Sequence, residues 1–305
     1  MTWLLHVPIL LPVLLLPAAL RPLARRATRS ARPERAARAL AAGAVVTAVS
    51  SAVCLVLMVA TLLDDLPAIE RYGHLSVAQG RPLPEPVPDP IAMVAAVLLL
   101  WIGRRVLTGV RARLAVAREL RAAGPPHDGL VVADWDSPRA VAVPPGRGRR
   151  GHVLVTSGLL RMLDGPERAA VLAHERAHLR HRHDRTAALA AMATALNPLL
   201  RPVETAVGLL VERSADEDAA RTVEDRRLVA QTIAKVALAA HRPAAALGFD
   251  GSSTVRRVEA LVRPAPRRGG PTVPGSMAVA GLSLAVTIAA VAEFITLLQA
   301  WLPTG

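Results

Sequence analysis

The chain has 305 residues, enough for one large domain or two small ones, and its sole cysteine excludes both an intramolecular disulfide framework and a Cys-rich zinc site. Hydrophobic residues make up 52 % of it and mean hydropathy is +0.35, a balance few soluble domains show. The net charge of +13 is carried by arginine, Lys235 being the single lysine, but aromatics are only 2 % of the chain, too few to stack single-stranded nucleic acid, so no direct nucleic-acid partner is expected.

Four stretches are long and apolar enough to span a bilayer: residues 2–20, 39–63, 91–110 and 276–302. The first lacks the basic flank that precedes a signal-peptide core, and Arg21, Arg25, Arg26 and Arg29 follow it, so it reads as a retained anchor. The loop 21–38 holds seven Arg and one Glu, whereas 64–90 holds two Arg against five acids. Arginine marks the cytoplasmic side. The N-terminus is therefore expected outside, with the third span running inward to Arg104, Arg105 and Arg111 and the segment after it in the cytoplasm.

Residues 122–274 have the texture of a mainly helical globular domain between a three-span region, 1–121, and a final span in 275–305. Leu130–Asp136, Ala140–Pro144 and His152–Thr156 are short, Val-rich runs between Pro and Gly clusters, which predict a small antiparallel sheet. Gly146–Gly151 is glycine-rich but lacks the Lys-Ser/Thr ending of a phosphate loop, so it reads as a turn. Asp164, Pro166 and Glu167 then open a helix as a capping carboxylate, a first-turn proline and a dipole-stabilising acid. The apolar run 186–200 is short and broken at Asn197-Pro198, and reads as a core or interfacial helix rather than a fifth span.

Within the helix opened by Asp164, His174 and His178 are four apart and project from one face, with Glu175 between them. This is the HExxH zinc pattern. A third ligand is needed, and the position six residues after His178 is Asp184 rather than the histidine of an extended metal helix. Downstream, Glu212 and Asp216 share a helix face, so Glu212 is the candidate ligand and Asp216 the candidate hydrogen-bond partner of a ligand histidine. Glu204, Glu217 and Asp218 compete less well as solvated acids, and His181 is either a neighbour of the metal site or a solvated side chain.

HERAH followed 34 residues after His178 by the ExxAD of Glu212–Asp216, with Asn197-Pro198 between, resembles the membrane-bound gluzincin peptidases. These include CAAX prenyl protease and HtpX-like enzymes and, closest in layout, BlaR/MecR-type signalling proteases. Ser157-Gly158-Leu159-Leu160 and Arg257-Val258-Glu259-Ala260-Leu261 also look like family motifs. The resemblance implies four transmembrane helices around a cytoplasmic α+β zincin-like domain, one zinc ion held by His174, His178 and Glu212, and Glu175 as general base. Ala140, Val141 and Ala142 look like the edge strand that pairs with substrate. BlaR/MecR sensors carry a penicillin-binding domain after the last span, and the sequence ends at Gly305, so direct antibiotic sensing is not expected.

These residue types permit zinc-assisted peptide hydrolysis, in which the metal acidifies water and polarises the scissile carbonyl while Glu175 takes and passes a proton. The substrate expected is a cytoplasmic or membrane-proximal protein, with a BlaI/MecI-like repressor suggested by the resemblance. A catalytically silent membrane scaffold that keeps the zinc site is the alternative. The intact Glu175 speaks against it.

Overall fold

The computed structural model describes residues 11–63, 88–146, 148, 150–240, 251–263 and 273–301. Half of the first expected span, the loop holding Tyr72 and the segment holding Arg267 and Arg268 lie outside the described residues. A π turn, Leu11–Leu15, leads into α1 (Leu16–Ala27), and α2 runs Pro33–Ala60, α3 Asp89–Ala122 and α10 Val273–Trp301. Among the described residues, α2, α3 and the 274–296 stretch of α10 are long and apolar enough to cross a membrane. They differ in how much protein covers them. Half of the apolar window of α2 is buried, against 17 % for α3 and α10, so α2 is the central post and the other two present Leu100, Val97, Ile288 and Leu284 outward.

Small residues let α10 lie close on α2. Gly43 allows this close approach, since a Cβ there would sit a tight 3.1 Å from the Ser276 carbonyl oxygen and push the helices apart by a few tenths of an ångström. The Thr47 hydroxyl lies 3.1 Å from that of Ser283, and Ser50 donates to the Ser283 carbonyl at 3.3 Å. Packing of this kind substitutes for the hydrophobic effect between helices in lipid. Helix α3 is 34 residues long, about 51 Å at 1.5 Å per residue, well beyond a hydrocarbon core of about 30 Å. Its surplus length carries the arginines from Arg104 to Arg121 and ends with Leu120 packed on the sheet.

The sheet consists of β1 (Leu130–Ala133), β2 (Ala140–Val143) and β3 (His152–Thr156), in the order β1-β3-β2. It is mixed, which corrects the antiparallel expectation. The β2–β3 turn makes an antiparallel hairpin, with Val141 opposite Leu154, but β3 inserts between β2 and β1 and so runs parallel to β1, with Val131 opposite Leu154. The buried Thr156 hydroxyl donates to the Ser137 carbonyl at 2.8 Å and accepts from the Arg139 amide at 2.9 Å, fixing the approach to β2. Helix α4 (Ser157–Met162) follows directly. A Cβ on Gly158 would fall 2.0 Å from the Asp136 carbonyl oxygen, so that loop closes over α4 only because the residue is glycine.

Helix α5 (Gly165–Arg180) begins with a complete capping box: Asp164 accepts from the Glu167 amide and Glu167 accepts from the Asp164 amide, both at 2.9 Å. Arg182, at φ 52°, breaks the helix and starts α6 (His183–Leu196). A short 3₁₀ turn, Pro198–Leu200, leads to α7 (Arg201–Val223), followed by α8 (Arg226–Ala240) and α9 (Gly251–Val262). Ala190 and Ala193 of α6 and Val203, Val207 and Leu210 of α7 share one core with Leu20, Ala37, Leu40 and Ala44 of α1 and α2. The apolar face of the central post is thus continuous with the helices that carry the site. At its far end Asn197 donates to the Ser51 hydroxyl and the Val13 carbonyl, each at 3.0 Å, fixing the α6–α7 turn beside the middle of α2.

Candidate metal centre

Alanines bring the two functional helices together. Ala170 and Ala173 of α5 pack with Ala219 and Ala220 of α7 in one buried cluster, so small side chains line this part of the seam. His174 and His178 then meet Glu212 across the seam. His174 Nε2 is 3.1 Å from His178 Nε2 and 3.5 Å from Glu212 Oε2, and His178 Nε2 is 3.7 Å from Glu212 Oε1. A tetrahedral zinc site with bonds of about 2.0–2.1 Å has edges of about 3.3–3.5 Å. The observed separations, 3.1–3.7 Å with the two measured to Glu212 taken to different oxygens, bracket that figure, and the three residues form the one His/Cys/Asp/Glu group among the described residues able to hold an ion. The Glu212 side chain is 37 % exposed, which leaves one side of the group open, as a reactive rather than purely structural site requires.

The surrounding residues fix these three. His174 Nδ1 is 3.0 Å from Asp216 Oδ1, an electrostatic contact too oblique for a hydrogen bond. Arg257 of α9 holds Asp216 from the other side and also lies 3.0 Å from Glu212 Oε2. His178 Nδ1 meets His183 Nδ1 at 3.1 Å, one ring donating and the other accepting. The left-handed Arg182 makes this contact possible, because it turns the buried His183 back over the end of α5.

The titratable groups of the site are held at shifted pKa values by burial and by one another. Burial disfavours charge on His174, but Asp216 and Glu212 outweigh it and raise its pKa to about 10. Burial lowers His178 to about 4, with the Glu212 charge opposing, and lowers His183 to about 3. Glu212 resists the upward push of burial because His174 and Arg257 hold it well below the carboxylate range. Glu175 goes the other way, raised chiefly by burial, and its Oε2 accepts a 2.7 Å bond from the Ala142 amide of β2.

Among the sequence-derived candidates, His174, Glu175, His178, Glu212 and Asp216 converge, and Ala140, Val141 and Ala142 lie on the strand beside Glu175. Two of the competing acids are engaged elsewhere: Glu217 pairs with Arg226, and Asp218 with Arg180 and Arg221. His181 stands apart from the donor group, bridging Glu34 of α2 at 3.0 Å and Asp218 of α7 at 3.1 Å. Two residues at the site are not evident from spacing. Arg257 is hidden among arginines that mark topology, although the motif it opens is visible; His183 follows a helix break that periodicity does not show.

The arrangement is that of a metal-dependent hydrolase: two helical histidines, a carboxylate from a second helix, and a half-buried glutamate beside the first histidine. Residues 110–202 match the model of peptidase family M48. The matched part covers the sheet and the HExxH helix and ends two residues into α7, before Glu212, Asp216 and Arg257. The match supports a metallopeptidase with apolar helices suited to a membrane. Comparison with curated proteins and with solved structures gives no match.

Proposed function

We propose that the protein is an integral-membrane zinc endopeptidase that cleaves a cytoplasmic or membrane-proximal protein. The observation that carries this reading is the position of Glu175, half-buried with a raised pKa, between His174 and His178 in sequence and against the outer edge of β2. The N,N,O donor set with one open side suits zinc. Zinc bound there by His174, His178 and Glu212 would supply the Lewis acidity that polarises a carbonyl and acidifies water. The chain's own residues do the rest. Glu175 accepts a proton and returns it to the leaving amine, a role favoured by a pKa that burial raises above the ordinary carboxylate value. Asp216 and His183 orient the two imidazoles, and Arg257 anchors Glu212.

The edge of β2 supplies the grip on substrate. In an antiparallel pair backbone groups alternate in direction, and since the Ala142 amide points away from β3 to Glu175, Ala140 and Ala142 turn their amides and carbonyls outward. An extended peptide adding there as a strand would run past Glu175. On the arginine distribution the N-terminus is outside, the chain passes the membrane four times and the site is cytoplasmic; a BlaI/MecI-like repressor is one substrate compatible with that side. In membranes holding the full chain, Glu175→Gln is expected to abolish proteolysis while leaving zinc bound, and to retain substrate as a trap. Undiminished cleavage by that variant would refute the reading, and absent zinc in the wild-type chain would leave it without a cofactor.

A further inference from the structure

A cavity of about 1160 Å³, separate from the metal donor group, lies where the end of α1 and the turn after it meet α7 and α9. Five arginines line it, Arg25, Arg29, Arg213, Arg256 and Arg263, against one carboxylate, Glu259. Among the described residues no carboxylate lies within ion-pair distance of Arg25, Arg29 or Arg213, and Arg263 reaches Glu259 only at 4.0 Å. Arg213 is the unusual member. It is 9 % exposed, donates through Nη1 to the Thr28 carbonyl, and leaves its buried Nε without any partner. Burial lowers its pKa, against the weaker opposing pull of Glu217 and Asp216. A guanidinium buried without a carboxylate is costly unless an anion completes it.

The location selects the anion. The Arg25–Ala31 wall immediately precedes Pro33, where α2 begins, so it sits where the most enclosed of the apolar helices leaves the bilayer. Ala206, Leu209 and Ala260 give the cavity an apolar side beside its arginines. We propose that this cavity binds the phosphate headgroup of an anionic phospholipid, with Arg213 at its base and Arg25 and Arg29 at its rim. An acidic protein segment would need no apolar wall at a membrane boundary. Arg213 follows Glu212 in sequence and Arg256 precedes Arg257, so a headgroup held here braces α7 against α9 at the turns that carry the metal centre. The binding itself stands independently of the peptidase reading.

The test uses the full chain in detergent and native mass spectrometry, with phosphatidylglycerol and phosphatidylcholine added in equal amounts and inorganic phosphate and a polyglutamate peptide as separate arms. Wild type is expected to retain one phosphatidylglycerol at least tenfold over phosphatidylcholine. Each basic residue near an anionic headgroup contributes about fivefold, so R25Q/R29Q, both exposed and safe for folding, should lose roughly 10- to 30-fold. R104Q/R105Q removes the same charge from α3, away from the cavity, and should leave retention unchanged. Equal retention of the two lipids, equal loss in both double variants, displacement by inorganic phosphate at the lipid's own concentration, or a preference for the peptide would each overturn the proposal.

Discussion

Arg257 grips Asp216 with both prongs of its guanidinium, Nε 2.8 Å from Oδ2 and Nη2 2.7 Å from Oδ1, although 41 residues separate them. The pair ties α9 to α7 and leaves Asp216 facing His174 in a single orientation. A lysine offers one point charge in place of the fork. Arg257→Lys is therefore expected to weaken zinc binding about 10- to 100-fold, the usual effect of losing an outer partner of a ligand. Competition against a chelator of known affinity measures it, and unaltered affinity would show that the clamp is unrelated to the site.

Zinc binding should release close to one proton at pH 7. His174, with a pKa near 10 in the metal-free chain, is charged at that pH, whereas His178, near 4, is already neutral. The metal must displace the first proton and none from the second. Apparent affinity should rise about tenfold per pH unit from 7 to 9 and level off above 10. Calorimetry in buffers of different ionisation enthalpy counts the proton; a count near zero would place the charge elsewhere.

The same pKa values set the metal-free protein's stability against pH. His174 is raised above its unfolded value, so its contribution is complete below pH 6.5 and fades as pH climbs toward 10. His178 and His183 are depressed, so theirs is complete above pH 6.5 and fades as pH falls toward 4 and 3. Chemical unfolding of the chelator-treated chain should show stability declining on both sides, and saturating zinc should flatten the alkaline limb.

His183→Ala should free the His178 ring while leaving α6 intact. Zinc affinity is expected to fall about tenfold or more, with helical content unchanged by circular dichroism. His181→Ala, at the end of α5, removes a ring that stacks on His183 and bonds Glu34 and Asp218 but does not touch His178, and should cost much less affinity than His183→Ala. Equal losses in the two would mean that the effect comes from the histidine cluster as a whole.

Gly158→Ala should destabilise the domain by about 2 kcal/mol or more, because the methyl meets backbone, which cannot turn aside as a side chain would. Gly165→Ala, where nothing lies within 4 Å of the added carbon, is the control. Thermal unfolding of the two variants side by side distinguishes crowding from loss of glycine freedom.

Local chemistry made much of this legible. Asp164 and Glu167 announce the start of α5, and the four-residue spacings of His174/His178 and Glu212/Asp216 define two helix faces before any contact is known. Features that depend on distant pairing were not legible. The strand order could not be read, since a hairpin and a parallel neighbour have the same Val-rich pattern. The role of His183 depends on one backbone angle at Arg182. Arg257 resembles every other arginine near a span until α9 is folded onto α7. The shared core was hidden too, because α2 is apolar all round and its composition does not distinguish a lipid-facing side from one that holds Ala193 and Val207.

The contact of α10 with α2 sets an order of assembly. Helix α2 emerges from the ribosome with Gly43, Thr47 and Ser50 exposed along one side, and their partners Ser276 and Ser283 follow only after the whole segment that carries His174, Glu212 and Arg257 has been made. For the whole interval of synthesis that side has no final neighbour. The nascent chain must therefore hold its central post beside the insertion machinery or another helix until α10 arrives, and only then do α2 and α10 close on each other.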